Sequence, residues 1–187
     1  MQQEFKSPPQ NHINRLPRVF SHTFWTEYHT MLEGGATEPF YRPKGPCCSH
    51  STIFFTSDYI SSALHETAHW CLAGEGRRQL EDFGYWYEPD GRNHSQQAEF
   101  ERVEVKPQAL ERIFSFACGQ VFRVSADNLN GGAKASAAFV DAIHRQTIAY
   151  CTFGLPTRAG AFAQALAKEF GRPGFLATEP YRRENLT

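Results

Sequence analysis

The chain has 187 residues, 41% hydrophobic and 14% aromatic, with a formal net charge of −1. A balance so near neutral supplies no bulk attraction to nucleic acid or to an anionic membrane, and no apolar run is long enough to span a bilayer. One α+β domain with a substantial core is the expectation, and five Cys at irregular spacing describe reduced thiols rather than a disulfide framework.

Residues 1–10, polar and carrying Pro8-Pro9, predict a disordered tail without the apolar core of a signal peptide, and hence a cytoplasmic protein whose single domain spans 11–187. Ile13, Leu16, Phe20 and Phe24 recur at helical spacing, which predicts a first helix ending near Thr26. Tyr28–Glu33 alternates, Gly34-Gly35 is expected to turn, and Phe40-Tyr41 is a short extended piece. The β-branched and aromatic run Thr52–Thr56 predicts a buried strand leading into a helix over Tyr59–Ala73, which Asp58 can cap and Gly74 can end. Asp82–Arg92 reads as an aromatic strand and a turn. Ser95 is expected to cap a helix from Gln96 that bends or restarts at Pro107 and continues over Gln108–Ala117. Val121–Ser125 alternates, two further helices cover Ala137–Tyr150 and Thr157 to Phe170, and 172–187 read as a loose tail. The sheet expected from these strands is small, mixed or antiparallel, and covered by helices.

The chemistry concentrates in the Tyr59–Ala73 helix. His65 and His69 lie four apart, so their side chains share a face and can close on one ion, and Glu66 falls beside them within reach of a metal-bound water. The pattern is the His-Glu-x-x-His of metal-dependent hydrolases, on a zincin-like helix. Its chance occurrence at this composition is about 0.03 per chain. Leu64, Ala68, Cys71 and Leu72 give the helix a buried flank.

Two imidazoles need a third ligand, and Glu101 and Glu104, three apart on one face of the following helix, are the candidates. Glu104 is favoured because Pro107 follows it closely; the other glutamate would orient a histidine. Two histidines and a carboxylate hold either zinc or iron(II). With zinc, Glu66 is the general base of a metallopeptidase, for which Thr52–Thr56 can serve as the substrate-binding edge strand. With iron, oxygen is activated at the metal and Glu66 tunes a ligand or carries a proton. A structural ion in a binding module is the weakest reading, since no cysteine is placed to join the histidines.

The runs LHETAHWCLAG, RRQLEDFGYWYEPDGR and FERVEVKPQALE together resemble the elongation factor P hydroxylase family, from about Asn11 onward and most densely over Tyr59–Glu111. The resemblance implies a non-haem metal protein that hydroxylates the β-lysylated lysine of translation elongation factor P, using Fe(II) and molecular oxygen. It implies that His65, His69 and a glutamate of the third run, Glu101 or Glu104, are the metal ligands. A modified lysine would need a narrow slot, for which Phe83, Tyr85, Trp86 and Tyr87 can pack its aliphatic stem and Asp82 and Glu88 can meet its ammonium groups.

Overall fold

The computed structural model describes residues 13–57, 59–84, 92–126 and 135–186. In chain order these form helix α1 (Arg15–Tyr28), strands β1 (Thr30–Ala36), β2 (Phe40–Arg42) and β3 (Ser51–Thr56), then helices α2 (Ile60–Leu72), α3 (His94–Cys118), α4 (Ala137–Phe153) and α5 (Thr157–Phe170). Short 3-10 turns cover Arg77–Gln79, Glu81–Gly84 and Arg183–Leu186. This is the α+β class with a mixed sheet.

The sheet order is β1-β3-β2, with β1 parallel and β2 antiparallel to β3. Thr52–Thr56 therefore belongs to the central strand. Both of its sides are paired, and the edge expected for peptide binding is absent there. Gly34-Gly35 does not turn the chain either: β1 continues through it to Ala36 with a register shift. The glycine at 34 serves close approach instead, because a Cβ there would lie 2.7 Å from the Phe55 ring.

One face of the sheet contributes Leu32, Tyr41, Ile53 and Phe55 to the core. Behind α2, the fully buried Trp70 meets Phe20 and Phe24 of α1 at ring-centroid distances of 5.2 and 4.8 Å, and Phe162 of α5 packs on Phe20 at 5.9 Å. Aromatic surface of this size dominates local packing and fixes the orientation of α2. The C-terminal end of α2 is held by guanidinium groups. Arg158 donates to the carbonyls of Trp70, Cys71 and Ala73, and Arg78 donates to that of Ala73 at 2.8 Å. Cations at carbonyls that have no helical donor complement both the hydrogen bonding and the dipole of a helix end.

Several local expectations give way to longer-range contacts. The residue at the start of α2 is an extended Tyr59 without a side-chain cap, and Asp58 lies outside the described residues. Ser62 Oγ instead accepts from the Thr56 N–H at 3.0 Å, joining β3 directly to α2. Asn93, not Ser95, caps α3, in a reciprocal box with Gln96. α3 then runs unbroken through Pro107, since the residues from Pro107 to Ser115 are buried all round and packing outweighs one lost hydrogen bond. Val121–Ser125 alternates in burial but pairs with no strand.

The 172–186 segment is not loose. Phe175, Tyr181 and Leu186 are buried, Arg112 of α3 donates to the Arg182 carbonyl at 2.6 Å, and Arg183 pairs with Asp141 of α4. Residues 1–12, which include the expected tail, lie outside the described residues.

Candidate metal centre

α2 and α3 pack side by side and bring their polar faces together at one point. His65 Nε2 and His69 Nε2 stand 3.1 Å apart, as one helical turn requires. From α3, Glu104 brings one carboxylate oxygen to 3.4 Å from His65 Nε2 and the other to 3.2 Å from His69 Nε2. Among the described residues, these three form a group able to hold one metal ion.

The spacing fits an ion. Two donors about 2.1 Å from a common metal stand about 3.0 Å apart at a right angle and about 3.4 Å apart at the tetrahedral angle. The two imidazole nitrogens fall in that interval, and each stands within 3.4 Å of one of the two Glu104 oxygens, so one ion, zinc or iron(II), can take a donor from each residue. Glu104 is only 2% exposed, and its Oε2 is a buried acceptor without a hydrogen-bond partner. A buried carboxylate oxygen left so is costly, and a cation between it and the imidazoles removes the cost.

Without an ion, protons carry the compensating charge. Burial alone would depress His65, but the carboxylates of Glu104 and Glu111, with Glu66 behind them, outweigh it and raise the imidazole to about 10. Burial likewise pushes Glu104 up, while His69 and His65 pull it down to about 2. The net result is a buried imidazolium–carboxylate cluster whose proton a divalent ion must displace.

Glu66, beside the histidines on α2, has its carboxyl raised by burial against the opposing pull of His65 and His69. Glu101 is directed elsewhere: its two oxygens accept from Ser136 N at 3.2 Å and Ser136 Oγ at 2.6 Å, tying α3 to the first turn of α4. Asp82 accepts from the Tyr41 N–H at 2.7 Å, covering the outer edge of β2, while Phe83 stacks on the Tyr41 ring at 4.4 Å. Asp82 and Phe83 take left-handed backbone angles, φ 45° and 58°, held by those two contacts. Tyr85, Trp86, Tyr87 and Glu88 lie outside the described residues. Cys71 is buried and takes no part in the metal-binding group.

The sequence reading missed Glu111. His65 Nδ1 lies 2.9 Å from its Oε2, and the residue is buried. The signal was its position seven after Glu104, two turns along the same face of α3.

A cavity of about 590 Å³ opens against this cluster, lined by His69 and Glu104 together with Gly74, Val103, Lys106 and Pro107 among others. A functional centre at the base of a concave site is the arrangement that small groups and side chains enter.

The sequence model of the family described as elongation factor P hydroxylase matches residues 19–181. The chain belongs to that family. Within it, the elongation factor P lysine hydroxylase of Haemophilus influenzae is 49% identical over 157 residues, which are 84% of this chain and 88% of that protein. The matched span of the elongation factor P hydroxylase family includes α2 and α3 in full, and with them His65, His69, Glu66, Glu104 and Glu111. Nothing in the family or the sheet supports the metallopeptidase reading. No helix among the described residues is long and apolar enough to cross a membrane.

Proposed function

We infer that this protein is a non-haem iron-dependent hydroxylase that adds oxygen to the β-lysylated lysine of elongation factor P in the cytoplasm. The observation that carries the reading is the meeting of His65, His69 and Glu104 at one buried point in a chain of this family. A set of two histidines and one carboxylate leaves open positions on iron(II), which when bound supplies the activation of molecular oxygen.

The chain's own residues supply the rest. His65, His69 and Glu104 hold the ion, and the aromatic cluster around Trp70 fixes α2, which carries the two histidines, against α1. The cavity beside His69 and Glu104 admits an extended side chain, with Val103 and Pro107 offering apolar contact to its methylenes. Glu66, next to His65 on α2, carries a proton to or from the reacting centre. Asp82 bonds Tyr41 through Oδ1 and keeps its other oxygen for an ammonium group of the incoming lysyl chain. Tyr85, Trp86 and Tyr87 complete the proposed substrate contacts.

The test is direct. Protein purified without oxygen is assayed for iron, then mixed with β-lysylated elongation factor P, a reductant and oxygen. Mass spectrometry should show one oxygen atom gained, and His65→Ala should abolish the gain. An unmodified substrate after incubation with iron-loaded protein would refute the reading.

A further inference from the structure

We propose that Glu111 is a positioning residue for the metal centre: its carboxylate accepts a hydrogen bond from the Nδ1–H of His65 and so aims that ring's Nε2 lone pair at the ion, a role that rests on the metal reading of the same site. A neutral imidazole has one N–H and one lone pair, and the side on which an acceptor stands decides which nitrogen keeps the proton. In His65 the two sides are unequal. Nδ1 faces Glu111 Oε2 at 2.9 Å, while Nε2 faces His69 Nε2 at 3.1 Å and Glu104 Oε2 at 3.4 Å.

Glu111 acts on the ring edge away from the other two donors, so it orients a ligand rather than joining the ligand set. Its burial supports the same role, because a carboxylate withdrawn from water needs a strong donor, and His65 is that donor. The spacing on α3 explains how one helix does both tasks. Glu104 and Glu111 lie on the same face two turns apart, so one reaches the metal side of His65 and the other its far side. A ring bonded at Nδ1 also cannot turn about its Cβ–Cγ bond without giving up a charge-assisted hydrogen bond.

Outer acceptors on metal-bound histidines are worth about 10 to 100-fold in metal affinity. Zinc affinity is therefore measured by chelator competition for the wild-type protein, Glu111→Ala and Glu111→Gln, with thermal unfolding of each metal-free protein alongside. Glu111→Ala should bind zinc about 10 to 100-fold more weakly, and Glu111→Gln, which keeps an acceptor oxygen, should recover most of the loss. Long-range proton–nitrogen spectra of the zinc form should show His65 protonated at Nδ1 in the wild type. Wild-type affinity in Glu111→Ala overturns the role, as does an equal loss in both variants or a proton found on Nε2. Because the readout is zinc binding, a wild-type protein that binds zinc but does not hydroxylate overturns the proposed function and leaves this role standing. A wild-type protein that binds no metal overturns both.

Discussion

Removing the metal should reverse the pH dependence of stability, and the size of the effect follows from His65. Its imidazole is raised from 6.5 to about 10 in the fold. A raised histidine stabilises the folded state fully below its unfolded pKa and loses that contribution as pH climbs toward its folded pKa. The side chain is 22% exposed, so solvent screens the cluster little. Between pH 6.5 and 9 the unfolded chain gives up a proton that the fold keeps, which costs about 3 kcal/mol at about 1.4 kcal/mol per unit. For a chain of this size that lowers the melting temperature by about 6 to 12 °C. The assay is thermal unfolding in excess chelator at the two pH values, for the wild type and for Glu104→Gln, which removes the largest carboxylate contribution raising His65. Zinc-loaded protein should behave in the opposite sense, because the ion competes with the proton and binds more tightly as pH rises. Equal melting temperatures at pH 6.5 and 9 for the chelated wild type, or an undiminished slope in Glu104→Gln, would refute the reasoning.

Three further outcomes separate the residues by task. Glu104→Ala should abolish zinc binding in chelator competition, whereas Glu101→Ala should leave it intact and cost about 1 kcal/mol in urea unfolding, since it frees the Ser136 groups at the start of α4. Gly74→Val should place a side chain in the cavity, where an added Cβ meets nothing within 4 Å, so steady-state assays should show a higher KM with zinc affinity unchanged. Arg158→Ala removes the guanidinium from three carbonyls at the end of α2 and should cost about 2 to 3 kcal/mol, read by chemical denaturation.

What could be read from the sequence was whatever one element decides by itself. His65 and His69 converge because four residues make a turn, and their buried flank appears as expected, with Leu64, Ala68 and Cys71 in the core. The last helix likewise carries its own start and its Gly171 stop. The choice between Glu101 and Glu104 was not local. Both lie on one face of α3, and what separates them is Ser136, 35 residues after Glu101, which takes up its carboxylate. Asp82 suits an ammonium group by charge, and its additional contact with the Tyr41 N–H, 41 residues earlier, was not legible because it lies on a strand edge whose position depends on the finished sheet. Of the bend or restart that Pro107 predicts, the restart does not occur, because the burial of the residues from Pro107 to Ser115 is set by neighbouring elements that the local sequence does not show. The C-terminal stretch lacks any periodicity, and its Phe175, Tyr181 and Leu186 find their places only on surfaces that other elements have already built.

Pro107 also has an effect on the main chain. An imide nitrogen has no hydrogen to offer the carbonyl of Val103 four residues before it, and both residues belong to the cavity wall next to Glu104. The main-chain bond that would tie one turn of α3 to the next is thus missing beside Glu104, and that turn is held in place by the burial of the residues from Pro107 onward.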